Sequence, residues 1–100
     1  MAKIKVASAN ELRSGESKVV ETSAGNLALF NINGNFFATA NTCLHKGGPV
    51  GEGSLDNSIV TCPWHGWQYD VTTGENLTNP SKSLRTFKTV TENGEVFVEV

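Results

Sequence analysis

The chain is 100 residues long and carries eight Lys or Arg against ten Asp or Glu, a formal charge of −2, which suits one domain over residues 1–100 and leaves no length for a second. The two signs are scattered, and without a basic stripe nucleic acid is not an expected partner. Lys3 and Lys5 interrupt the N-terminal apolar residues, and no run approaches the roughly 20 apolar residues of a membrane span; the expectation is a soluble, cytoplasmic chain with no membrane partner.

Taken in order, short alternating segments dominate. Lys3-Ile4-Lys5-Val6-Ala7 alternates polar and apolar residues as a half-buried strand does. Residues 8–15 hold one expected helical turn around Asn10, Glu11 and Leu12 and end at the breaker pair Ser14-Gly15. Lys18-Val19-Val20-Glu21-Thr22 is a β-branched second strand, 23–26 a turn, and Leu27-Ala28-Leu29-Phe30-Asn31-Ile32 a third strand. Asn33-Gly34 predicts a tight hairpin, because both central positions of a type I′ turn need positive φ, so 36–40 is expected to return antiparallel.

Residues 41–49 form a first loop and 50–57 a turn-rich stretch. Ser58-Ile59-Val60-Thr61 is a strand that delivers a second loop, 62–67. Trp67 to Val71 alternates again, Thr72-Thr73-Gly74 turns, and 76–83 is a polar third loop around Pro80. Residues 84–91 read as one continuous strand, turned at Glu92-Asn93-Gly94-Glu95 into 96–100. With no long helical period and no repeats, the expected class is all-β, built from short antiparallel strands.

Both cysteines and both histidines lie between positions 43 and 65. They arrive as Cys43-Leu44-His45 and Cys62-Pro63-Trp64-His65, one thiol and one imidazole in each pair. A disulfide explains neither histidine and is uncommon in a reducing cytosol. Two Cys and two His also make a tetrahedral zinc set, although zinc fingers usually group like ligands together. The mixed pairs equally allow a two-iron cluster with a thiolate end and an imidazole end.

The pattern C-x-H-x16-C-x-x-H, followed by Gly66, resembles the Rieske [2Fe-2S] proteins, and the chain as a whole resembles the ferredoxin components of Rieske dioxygenase systems. The resemblance implies an antiparallel β-sandwich with two cluster-binding loops at one end. It implies one [2Fe-2S] cluster, with Cys43 and Cys62 on the inner iron and His45 and His65 on the outer one. Imidazole ligation places such centres at roughly −150 to +300 mV, because two thiolates alone neutralise the oxidised core. The resemblance further implies an electron carrier, not a catalyst, running from a flavoprotein reductase to a terminal oxygenase. No histidine is left for the mononuclear iron of a catalytic subunit. A small Rieske subunit of a nitrite-reductase-like enzyme and a structural zinc domain for protein binding are the alternative readings.

Respiratory and photosynthetic members of the family carry two further cysteines that bridge the loops; Gly48 and Trp64 stand there. Trp67 replaces their sulfide-directed serine, while Tyr69 matches their tyrosine. A low-potential centre is therefore expected. Trp67 is expected to pack in the core and Trp64 to face a redox partner. Lys46 is expected to be merely solvated. Pro80 either covers the cluster or only stops a strand.

Overall fold

The computed structural model describes residues 3–23, 25–42, 48–64 and 66–99. Ten strands are present among them: β1 (Lys3–Ser8), β2 (Ser17–Thr22), β3 (Gly25–Ile32), β4 (Asn35–Ala40), β5 (Ser54–Asp56), β6 (Ile59–Thr61), β7 (Gln68–Asp70), β8 (Thr86–Phe87), β9 (Thr89–Glu92) and β10 (Glu95–Glu99). The helical content of the described residues is one 3-10 turn, Val50–Glu52. All strand pairs are antiparallel, in sheets ordered β2-β3-β4-β8, β1-β10-β9 and β5-β6-β7. The all-β expectation therefore holds.

β3 explains the layering. Its run Leu27-Ala28-Leu29-Phe30-Asn31 is buried without interruption, as a strand covered on both faces must be. Successive side chains point to opposite faces, so Leu27 and Leu29 enter one core with Val6, Phe36, Val96 and Val98. Ala28 and Phe30 enter another with Val60, Cys62, Tyr69 and Val71. The four-stranded sheet is thus the middle layer, with β1-β10-β9 on one side and β5-β6-β7 on the other.

The two Asn-Gly turns have the expected backbone: φ is 54° and 88° at Asn33 and Gly34, and 51° and 76° at Asn93 and Gly94. Three details differ from the sequence reading. Residues 8–12 form a hydrogen-bonded turn, not a helical one: the Glu11 amide donates to the Ser8 carbonyl at 3.0 Å, and the Glu11 carboxylate accepts from the Ser8 amide at 3.0 Å. That turn lowers Leu12 into the first core. Residues 54–56, read as turn, pair with β6 as an edge strand. Residues 84–91 are two strands: Phe87 pairs with Ala38 of the middle sheet and Thr89 with Val98 of the outer one. The chain changes sheets at Lys88, whose carbonyl accepts the Glu99 amide at 2.9 Å.

Candidate metal centre

Cys43, His45 and His65 lie outside the described residues, as does Lys46. Cys62 lies within them, and the elements that close both loops are fully described. Among the described residues no three Cys, His, Asp or Glu side chains come together, as follows when three of the four expected ligands fall outside.

The first loop is closed at its base. Thr42 and Pro49 form an antiparallel bridge, and Asn41 holds both backbone positions after it. Its carbonyl accepts the Val50 amide and its side-chain Oδ1 accepts the Gly51 amide, both at 2.8 Å. Asn41 is itself buried, so these bonds form away from competing water. Nothing in the sequence separates Asn41 from the other loop asparagines.

The second loop grows from the β6-β7 hairpin. Val60 pairs with Tyr69 and Thr61 with Gln68, and the Cys62 amide donates to the Trp67 carbonyl at 2.8 Å. Alternation along the hairpin puts Val60, Cys62, Trp67, Tyr69 and Val71 on one face, the face that lines the second core. Cys62 is 1% exposed and Tyr69 is completely buried. Trp67 packs against that core, as expected, whereas Trp64 keeps half of its surface exposed. Gly66 takes a φ of 77°, a value open to glycine and strained for other residues.

The two loops meet at Gly48. A Cβ placed on this buried glycine would lie 2.8 Å from both Cβ and Cγ of Trp64 and 3.0 Å from Cys62 Sγ. The two positions that stand where the resemblance puts bridging cysteines are therefore direct neighbours.

The third loop is tied to β7 beside the second. The Leu77 amide donates to the Gln68 carbonyl at 2.8 Å, and the Gln68 amide donates to Thr78 Oγ1 at 3.0 Å. Asn76, across from Tyr69 and completely buried, accepts the Thr78 and Asn79 amides on Oδ1 at 3.0 and 2.8 Å. Its Nδ2 is a buried donor with no acceptor among the described residues. The sequence reading placed Asn76 in a polar third loop beside the site, without marking it as buried. Pro80 itself is exposed.

The three described ion pairs, Lys3 with Glu92, Lys5 with Glu95 and Lys18 with Glu11, involve none of the loop residues. Lys5 is held above the usual lysine value, chiefly by its hydrogen bond to Glu95. Glu11 is held below the usual carboxylate range, first by the Ser8 amide and then by Lys18. No helix among the described residues is long and apolar enough to cross a membrane. The donor chemistry fits an iron-sulfur group: a buried thiol stands at the base of one loop, against a glycine that follows the other.

The sequence profile of the Rieske [2Fe-2S] domain matches residues 2–88. The ferredoxin component of the p-cumate 2,3-dioxygenase system of Pseudomonas putida is 36% identical, over 91% of this chain and 80% of its own. Ferredoxin CarAc of Metapseudomonas resinovorans is 33% identical, over 95% and 91%. Among solved structures, the complex of reduced oxygenase and oxidised ferredoxin in carbazole 1,9a-dioxygenase contains a chain that superposes with a TM-score of 0.89 at 32% identity. The match covers 96% of this chain and 91% of that one.

Proposed function

Because the chain belongs to the Rieske [2Fe-2S] domain family, we propose that it is a one-electron carrier that takes an electron from a flavoprotein reductase and delivers it to a terminal oxygenase. The observation that carries this reading is the likeness, over nine-tenths or more of this chain, to a protein named as a ferredoxin and to one named as the ferredoxin component of a dioxygenase system. The residue inventory agrees, since the two cysteines and two histidines are used up by one cluster and leave no histidine for a mononuclear iron.

Cys43 and Cys62 would hold the inner iron, and His45 and His65 the outer one. A [2Fe-2S] cluster bound there supplies one reversible electron in the range set by mixed thiolate and imidazole ligation. The chain's own residues set the conditions. Burial of Cys62 keeps its sulfur out of water, and burial is one of the factors that fix such a potential. Trp64, next in sequence to His65 and half-exposed, gives the surface beside that ligand an aromatic anchor of the kind that dominates protein interfaces.

The test is spectroscopic and then kinetic. The purified protein should be coloured, become EPR-active on reduction with dithionite, and carry two irons and two sulfides. A colourless, EPR-silent, zinc-loaded protein would sink the reading. The reduced protein should then reoxidise on mixing with a ring-hydroxylating terminal oxygenase, and Trp64→Ala should slow that step by roughly tenfold, the loss of one aromatic hot spot. A rate unchanged by Trp64→Ala would place the docking surface elsewhere.

A further inference from the structure

We infer that Gly48 and Trp64 form a non-covalent clasp that locks the two ligand loops together and fixes the position of the Cys62 sulfur. The inference rests on the cluster reading above and concerns how this chain holds that group.

Glycines occupy two kinds of position here. At Gly66 and Gly94 the backbone has positive φ and a Cβ would meet nothing within 4 Å, so conformation is what requires glycine. Gly48 shows no positive φ; space is what requires it. The three atoms nearest its missing Cβ are Trp64 Cβ, Trp64 Cγ and Cys62 Sγ, at 2.8, 2.8 and 3.0 Å. The first two distances are shorter than real Cβ contacts.

The identity of these atoms decides what a methyl group at position 48 would do. Cβ and Cγ are the root of the tryptophan, and no rotation about χ1 or χ2 removes both from the contact. Relief requires moving the backbone of residues 63 and 64, between Cys62 and His65, or that of Gly48 at the end of the first loop. Either movement shifts an expected ligand. Overpacking of a well-filled site forces such shifts, and groups that orient ligands govern how firmly a metal is held.

Trp64 is thus divided in use. Its root seats on the Gly48 backbone, the exit of the first loop, while the remainder of the ring leaves the residue half-exposed. The close approach of the two backbones, without a covalent bridge, makes each loop a wall for the other.

The test uses holoprotein and follows cluster release, read as bleaching of the visible absorbance and as iron passed to a chelator, with far-UV circular dichroism as the control for folding. Gly48→Ala should release the cluster at least tenfold faster than the parent. In a Trp64→Gly background the same Gly48→Ala change should alter release by less than threefold, because the two closest atoms it collides with, Trp64 Cβ and Cγ, are gone and only the looser contact with Cys62 Sγ at 3.0 Å remains. If Gly48→Ala accelerates release equally in both backgrounds, the clasp is overturned. Should Gly48→Ala fail to fold, a second series decides. Trp64→Phe keeps an aromatic root and should release at the parental rate, whereas Trp64→Ala should release several-fold faster. Equal rates in those two variants would also overturn the clasp. Parental protein that carries no [2Fe-2S] signal would instead overturn the cluster reading itself.

Discussion

Tyr69 shows what a single side chain contributes. It is completely buried, and the Val60–Tyr69 pairing puts it on the same face as Cys62, so its hydroxyl is a donor confined to the cluster side of the sheet. Hydrogen bonds to cluster sulfur stabilise the reduced, more negative state and raise the potential. A net hydrogen bond of about 1 kcal/mol corresponds to roughly 40 mV for a one-electron couple. Tyr69→Phe should therefore lower the midpoint by a few tens of millivolts in an EPR-monitored redox titration; an unchanged midpoint would mean that the hydroxyl is aimed away from the sulfurs. Tyr69 was legible through the family resemblance, whose tyrosine it matches, and through the alternation around it. Asn41 was not, and Gly48 only through the family resemblance that sets it opposite Trp64, because their importance lies in what the fold brings beside them: two amides across a loop in one case, an indole root and a sulfur in the other. No local pattern encodes those neighbours.

At the scale of elements, turns were the most legible feature, since Asn33-Gly34 and Asn93-Gly94 state their backbone requirement in two residues. β3 was legible as a strand, whereas its burial on both faces is set by the layers packed on either side of it. The sheet change at Lys88 was hidden because residues on both sides keep a strand-like alternation, and only the partners differ. The third loop was legible as a loop but not in how it is held. Asn76 accepts two backbone amides there and leaves its own Nδ2 buried without an acceptor among the described residues. These effects oppose each other. Asn76→Val would abandon the Thr78 and Asn79 amides, at a cost of about 1 kcal/mol each, yet it would also remove a buried orphan donor that costs about as much or more. Global stability should accordingly change by less than about 1 kcal/mol, while hydrogen exchange at Thr78 and Asn79 should accelerate sharply relative to the strands. Retained protection at those two amides would show that the loop is held by Thr78 Oγ1 and the Leu77–Gln68 bond alone.

For the whole molecule, the three layers divide the work. One core joins β1-β10-β9 to the middle sheet; the other joins the middle sheet to β5-β6-β7 and contains Cys62, the expected ligand that lies among the described residues. Cys62 is thus mounted on a small sheet backed by Phe30 and Val50. This arrangement also bears on the potential. Of the devices that raise it in high-potential members of the family, only Tyr69 has a counterpart. Trp67 stands where a hydroxyl would donate to a sulfide and instead packs into the second core. The loops meet through Gly48 and Trp64, positions that cannot form a covalent bridge. The chain adds a formal charge of −2, which slightly disfavours an added electron, although screening over about 10 Å keeps this effect small beside the local hydrogen bonds. Apart from Tyr69 these contributions point down, so the midpoint should fall in the lower part of the family range, below about +100 mV. A redox titration followed by EPR of the reduced cluster measures it directly. A value above that limit would require donors to the sulfurs from the loop backbones strong enough to replace the missing hydroxyl.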